Sequence, residues 1–537
     1  MSKEFNLISE PWIKVLDNAC CIQEISVKDC LLNAHMFKGL SGETKAQDLA
    51  IMRLLIAILY SVFTRINPDN EMEAIEDVNS ALDRWEEIWD KNSFPSQPII
   101  EYLNMFYDRF WLFADDRPFY QIIEAKIGTY NSAAKLNGAI GESNNKLRMF
   151  SSKAGLSKSQ MSFAEAARWL LYINGFDDTS AKPKGKGLPS PGAGWLGKIG
   201  LIQATGENLF ESLMLNLTFL KDGNELWAPI KKEVGSCAIW ELDSARTDER
   251  TEIAQPLNIA GLYTLQSRRI LLSRAENAVT GYYLLGGDFF DRQNAFAEQM
   301  TIWRYREEKG KGYYTPRRHD PSLQMWREFS TIAVQDVSHH RPGVLSWIDY
   351  LTRNNILNGN KKVKFNIISV QYGDKDFFVT DAFNDELTFG AKLLDGAGTM
   401  WQIYIEKEIQ NCDACARNIG RLAVDLAKAS GDSGEINKQN AKEVFYATVD
   451  RIFREWLYEL DPDEHEENYI DLLRKQVKNI ALQIGQNLIN EAGPKAFSGR
   501  VVTEKINNKE EKRYYSSPRA FNYYLYSIRK IYEVTRV

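Results

Sequence analysis

The chain has 537 residues, of which 44% are hydrophobic and 26% charged, and its formal net charge is -6. That length carries about two to four domains, and that apolar content excludes a disordered chain. The acidic balance excludes a uniformly basic nucleic-acid binder, though not a local basic face.

Six cysteines without regular spacing fit a reducing compartment and no disulfide framework, so a cytoplasmic location is expected. The opening MSKEFNLISEPW has no apolar signal-peptide core. The most apolar run, 54–63, is shorter than the ~20 residues that cross a bilayer. A buried helix is expected there, and no membrane association.

In chain order, 5–16 and 22–27 read as strands of an N-terminal hairpin, with a turn at Glu10-Pro11. Residues 44–65 read as a helix apolar around most of its circumference, 74–89 as an acidic amphipathic helix, and 99–113 as an aromatic helix. Residues 135–162 read as a polar loop carrying Lys135, Lys146, Arg148, Lys153 and Lys158 against Glu142 alone. Ser162-Phe-Ala-Glu165 is a capping-box pattern opening an apolar helix over 164–172.

Next comes 182–200, KPKGKGLPSPGAGWLGKIG, with six glycines, three prolines and four lysines; no Asp or Glu occurs from Thr179 to Gly206. Glycine lets main chain approach a ligand closely, and lysine brings hydrated positive charge. Side-chain-free main chain at 192–197 is therefore expected to be open to a phosphate backbone or a narrow groove, although Gly, Pro and Ser clusters also mark plain linkers.

Residues 209–220 read as a helix and 260–300 as strands. Residues 301–320 are both basic and aromatic, and 361–380 read as strand, turn at Gly373-Asp374, and strand. From 381 onward the pattern changes to long helices. Stripes at Val449, Ile452, Phe453, Trp456, Leu460, at Ile470, Leu473, Val477, Ile480, Ile484, Leu488, and at Phe521, Leu525, Ile528, Tyr532 predict a bundle of about four members. The fold class is α+β: a large mixed α/β domain over 1–380 followed by a C-terminal four-helix bundle over 381–537.

Gly192-x-Gly194-x-x-Gly197 matches a dinucleotide-binding fingerprint in letters, but Lys-Gly-Leu-Pro-Ser-Pro precedes it where that motif requires a strand. Cys412-x-x-Cys415 supplies two ligands where a structural zinc needs four. The eight acids between Glu455 and Asp471 read as a solvated turn between bundle helices. These patterns supply neither a catalytic constellation nor a cofactor or metal site. By contrast, loops 135–160, 182–200 and 301–318 are all basic, and the last two also carry aromatics, a combination suited to phosphates and bases. Residues 495–530 add nine Lys or Arg against three Glu.

The ordered set of motifs resembles the large subunit of the type I-E CRISPR surveillance complex Cascade, the CasA family. The resemblance rests on Phe5-Asn-Leu-Ile-Ser-Glu-Pro-Trp-Ile13, Asn145-Lys-Leu147, Ser162-Phe-Ala-Glu-Ala-Ala-Arg-Trp-Leu170, Gly192-Ala-Gly-Trp-Leu-Gly197 and Leu213-Met-Leu-Asn-Leu217. It continues through Gly261-Leu-Tyr-Thr-Leu-Gln-Ser-Arg-Arg269 and Pro316-Arg-Arg-His-Asp-Pro321, with Trp326-Arg327 beyond.

The resemblance implies a non-catalytic subunit that reads the protospacer-adjacent motif of double-stranded target DNA from the minor groove and helps part its strands. It implies contact with the 5′ handle of the guide RNA, assembly with the other Cascade subunits, and recruitment of a helicase-nuclease. Carried over by position, the handle loop corresponds to Lys146, Arg148, Met149 and Phe150. The glycine loop corresponds to Gly192, Gly194, Gly197 and Lys198, and the wedge to Gly373, Asp374, Lys375 and Asp376. Arg304, Arg306 and Lys309 are the candidates for a basic finger. The wedge departs from the family pattern: a glutamine is expected at its tip, whereas this tip is Asp-Lys-Asp and Gln371 lies upstream. Two other readings of the chain are an enzyme using 192–197 as a cofactor cradle, and a pure scaffold subunit.

Overall fold

A computed structural model of the chain describes residues 3–142, 147, 149–180, 191–248, 252–396, 398–506 and 509–533. It divides into two compact units. The first comprises Met1–Ser322, Thr331–Asn358 and Val363–Glu386; the second comprises Leu323–Ser330, Gly359–Lys362 and Leu387–Val537.

The first unit is built around the helix Lys45–Phe63, in which every residue after Lys45 is buried. Thr44 caps it by accepting from Gln47 N at 3.2 Å. Its length and apolarity are those of a membrane span, but it is enclosed by the helices Ser96–Met105, Phe163–Phe176, Leu209–Asn216 and Ile259–Tyr263. The one basic residue on the enclosed stretch, Arg53, is held at 2.7 and 2.9 Å by the two oxygens of Glu298. Such a pair is stable inside because both charges are matched and hydrogen-bonded.

Small antiparallel sheets flank this core. The N-terminal hairpin forms from Ile13–Asp17 and Ile22–Ile25, with Phe37–Leu40 as a third strand. Arg268–Ala275 and Ala278–Gly286 pair with each other, and Thr129–Ser132 adds to the latter. A third sheet orders Val379–Gly390, Lys362–Tyr372 and Leu201–Thr205 side by side.

Several expectations need correcting. Residues 99–113 are not one helix: Ser96–Met105 is helical and Trp111–Phe113 is a strand. The capping box at Ser162 is half made. Ser162 Oγ accepts from Glu165 N at 3.2 Å, while the Glu165 carboxylate is drawn to Asn137 and Lys153 instead. The strand expected to end at Thr380 runs on to Gly390, and the division between units falls within it. From Ala382 to Glu386 exposed residues (Ala382, Asn384, Glu386) alternate with half-buried ones (Phe383, Asp385), so a segment that looks helical to composition has the two-residue period of an edge strand.

The second unit is a bundle of Thr399–Ser430, Glu435–Glu459, Glu466–Glu491 and Ser517–Glu533. Ile470, Leu473, Val477 and Ile484 are buried, as are Val449, Phe453 and Trp456. The last helix adds a residue to the expected stripe: Tyr524 is buried with Ile528, while Phe521, Leu525 and Tyr532 are half-buried, and the Tyr524 hydroxyl donates to Ala481 O. Trp326 belongs to this unit, stacked on Phe453 with centroids 4.2 Å apart and donating to Asp450 at 2.9 Å. Cys412 and Cys415 are buried in the first bundle helix, the latter 3.4 Å from the Tyr532 hydroxyl.

Candidate nucleic-acid interface

The site lies wholly in the first unit. It begins where the helix Phe163–Phe176 ends and the chain runs into Asp177-Asp178-Thr179. Residues 181–190, the lysine-rich half of the glycine loop, lie outside the described residues. From Pro191 the chain is fixed. Gly194 N donates to Asp177 O at 2.9 Å, Trp195 N donates to Ser267 Oγ at 3.1 Å, and the Trp195 indole donates to Glu298 at 2.7 Å.

Arg268, fully buried, is the central tie. Its Nε donates to Asp177 at 2.5 Å, and its Nη2 to Asp178 O at 2.7 Å and Gly192 O at 2.6 Å. Burial pushes the Asp177 carboxyl up, and the Arg268 guanidinium opposes that shift.

This geometry corrects the expectation of open main chain at 192–197. Gly194 and Gly197 are buried. A Cβ on Gly194 would sit 2.4 Å from Gly175 O, and one on Gly197 would sit 2.0 Å from the Tyr372 hydroxyl. These two glycines admit protein, so in this conformation their main chain does not itself lie against bases. Gly192, at φ +74°, and Lys198 are the half-exposed positions. A Cβ on Gly192 would lie 3.6 Å from Lys198 Nζ, and that ammonium sits 4.6 Å over the Phe289 ring.

The cofactor-cradle reading also fails on geometry. After Gly194 come the short 3-10 turn Leu196–Lys198 and the strand Leu201–Thr205. A dinucleotide fold needs a helix N-terminus at that place.

The wedge segment meets the glycine loop. Strand Lys362–Tyr372 turns through Asp374–Asp376 into Val379–Gly390; Gln371 belongs to the strand, not the tip. Asp374 and Lys375 are exposed and Gly373 and Asp376 half-buried. Lys375, Asp376 and Phe378 all have positive φ, 54°, 58° and 62°, a region that disfavours L side chains. Phe378 N donates to Asp178 at 3.1 Å, Thr179 Oγ1 donates to Lys375 O at 3.2 Å, and Thr179 N donates to Asp376 O at 3.2 Å.

Arg318 completes the join. Its Nε donates to Gly197 O at 2.6 Å, and its Nη1 to Asp376 Oδ1 at 2.7 Å. The guanidinium lies 4.6 Å over the Tyr372 ring, whose hydroxyl donates to Phe176 O at 2.7 Å.

The basic hairpin, Trp303–Glu308 paired with Lys311–Pro316, is rooted beside the same place, where Gly200 N donates to Arg317 O at 2.7 Å. Arg304, Arg306 and Lys309 are exposed. Arg304 and Arg306 are two apart and share a face, cross-strand from Thr315 and Tyr313. Glu307 and Glu308 sit on the same hairpin, so its positive charge is smaller than its cations alone suggest.

His319, next to Arg318, donates its Nε2–H to Leu201 O at 3.0 Å, and burial pulls its pKa down to about 3. Its unfolded value is ~6.5, so the unfolded chain gains a proton below that pH while the folded ring does not. Stability from this ring is full above pH ~6.5 and falls as pH drops towards 3, by up to ~1.4 kcal/mol per pH unit. Comparing His319→Gln with the wild type by denaturant unfolding at pH 5 and pH 7 should show a shallower acid loss in the variant; identical losses would contradict the buried neutral ring.

Handle residues Lys146 and Arg148 lie outside the described residues. Met149 and Phe150 are 90% and 86% exposed. Part of the expected positive charge of 135–160 is neutralised internally: Lys153 pairs with Glu165, Lys158 with Glu142, and Lys135 lies 3.9 Å from Asp178.

Sequence reasoning missed Arg268 and Arg318 as the ties, although both lie inside motifs it singled out, Ser267-Arg-Arg269 and Pro316-Arg-Arg-His319. For Arg268 the signal was available: an arginine inside a largely apolar run needs a buried partner.

Residues 6–484 match the family model for CRISPR-associated protein Cse1. A CasA/Cse1 protein of Thermus thermophilus is 32% identical over 247 residues, covering 46% of this chain and 45% of that relative; the alignment thus spans less than half of the curated relative's length. The crystal structure of Thermobifida fusca Cse1 superposes with a TM-score of 0.83 at 25% identity, over 99% of each chain. A chain of a structure described as a CRISPR RNA-guided surveillance complex shares the fold, with a TM-score of 0.68 at 15% identity over 91% of this chain and 99% of that one. With nearly its whole length matched by the family model and by the fold, the chain belongs to the CRISPR-associated Cse1 (CasA) family.

Proposed function

We propose that this chain is the non-catalytic large subunit of a type I-E CRISPR surveillance complex and that its first unit engages the protospacer-adjacent motif of double-stranded DNA. The observation that carries the reading is the convergence on Arg318: three segments remote in sequence, each expected to face DNA, are tied at one place. Family membership and the likeness to a chain from an RNA-guided surveillance complex support assembly with other subunits and a guide RNA.

The surface offered to the duplex is Gly192, Lys198, Asp374 and Lys375, with Arg304, Arg306 and Lys309 on the neighbouring hairpin. Gly194 and Gly197 act from beneath, by letting the loop pack. A minor groove is ~6 Å wide and presents a degenerate pattern, so few base contacts give a permissive reader of a short motif, and guide pairing supplies the remaining specificity. The turn helps part the first base pairs, whose stacking costs ~1.4 kcal/mol per step and is regained as guide pairing begins. Met149 and Phe150, apolar and exposed, with Lys146 and Arg148, contact the handle of the guide RNA. The assembled subunit then presents a surface for a helicase-nuclease.

The test is binding of a duplex library, randomised beside the target, to guide-loaded complex with and without this subunit. The proposal expects a motif preference that depends on the subunit, with affinity falling linearly in log salt. Equal retention across the library would leave the chain a scaffold and end the proposal.

A further inference from the structure

We infer that Arg318 is a positioning residue that holds the glycine loop and the acidic turn as one body, and that Asp376 is its fixed counter-ion, so that an aspartate beside the duplex supports recognition instead of opposing it. The inference rests on the proposed engagement of the motif duplex by this surface.

Three observations lead there. First, the Arg318 guanidinium meets two groups 179 positions apart: Gly197 O at 2.6 Å and the Asp376 carboxylate at 2.7 Å. A planar fork can hold both in fixed directions, with the Tyr372 ring beneath it; a lysine ammonium has neither the fork nor the flat face.

Second, the turn it holds is strained. Three residues between 375 and 378 occupy the left-handed region without being glycine. Such backbone persists only where its surroundings over-determine it, and the determinants here are Asp178, Thr179 and Arg318. Removing the Arg318 contact leaves the tip free to relax relative to the loop.

Third, the charges balance. Asp374, Lys375 and Asp376 sum to -1, but Asp376 is neutralised from within by Arg318. What the exposed tip shows is Asp374 beside Lys375, a pair without net charge. A tip of this composition can therefore approach phosphates without net repulsion.

The sign of one substitution separates this account from simple electrostatics. Removing an acid near DNA should strengthen binding if only charge matters. If Asp376 positions Arg318, Asp376→Asn should instead weaken it. The experiment measures Kd of the guide-loaded complex for motif-bearing and motif-lacking duplexes at two salt concentrations, with complex assembly verified for each variant.

Asp376→Asn is expected to weaken the motif-bearing duplex by about ten-fold, as loss of one charge-assisted hydrogen bond would, while the motif-lacking duplex is held as before or more tightly. Asp376→Glu should restore most of the preference. Arg318→Lys should reproduce the loss, and the double variant should be no worse than Arg318→Lys alone, because one contact is broken in each. An Asp376→Asn complex that binds the motif-bearing duplex as tightly as wild type, or more tightly, overturns the inference, and so does additivity of the two losses. If wild-type complex shows no motif preference, the functional reading falls and this inference with it, an outcome distinct from a wild-type preference that Asp376→Asn leaves intact.

Discussion

Gly194→Leu is expected to destabilise the first unit by about 3 kcal/mol or more, at or beyond the upper end of ordinary overpacking. The first atom of the new side chain would fall 2.4 Å from Gly175 O, 2.7 Å from Gly175 C and 3.0 Å from Asn174 O. All three are main-chain atoms in the buried helix Phe163–Phe176, so no rotamer change makes room. Gly192→Ala is the contrast: its Cβ meets only the far end of Lys198, and the cost is that of the positive φ, about 1 kcal/mol. Denaturant unfolding of the isolated chain checks both. A Gly194→Leu protein with an unchanged midpoint would show that the loop is not packed as described.

Arg268→Met is expected to cost about 3–5 kcal/mol, the range for stranding one member of a buried ion pair. Arg268 is fully buried and binds the Asp177 carboxylate together with the main-chain oxygens of Asp178 and Gly192. Methionine keeps the volume of the stem but leaves Asp177 charged or protonated without its partner, and frees Gly192. The same unfolding measurement should show a large loss, and adding Asp177→Asn should return part of it by removing the stranded charge. A loss within ~0.5 kcal/mol of zero, as for a surface position, would mean the loop is held by other contacts.

These two residues mark how far the sequence was legible. The helix Lys45–Phe63 could be read because its cap, Thr44, and its unbroken apolar run both lie in local sequence. The turn at Gly373-Asp374 could be read because Gly and Asp impose backbone shape locally, whereas the hairpin of Trp303–Glu308 and Lys311–Pro316 reads in sequence as a basic loop. The four-helix bundle could be read from apolar spacing, although Tyr524 joins the stripe of the last helix unforeseen, because an aromatic ring can be buried while its hydroxyl finds a carbonyl.

What the glycines at 194 and 197 do could not be read. The sequence shows a missing side chain but not what fills the space, and here the filler is Gly175 main chain and the Tyr372 hydroxyl. Arg318 likewise counts as one more cation until Gly197 and Asp376 are brought to it. The continuation of Val379–Gly390 as a strand was hidden because its polar edge face resembles the start of a helix. In each case the missing information is a contact between residues far apart in the chain.

The most direct test is a cryo-EM structure of the guide-loaded complex held on a motif-bearing duplex. The account predicts the minor groove of the motif pairs against Gly192, Lys198 and Lys375, with Arg318 still bridging Gly197 O and Asp376. A duplex seated on another face, with this surface in solvent or beneath a protein partner, would contradict it.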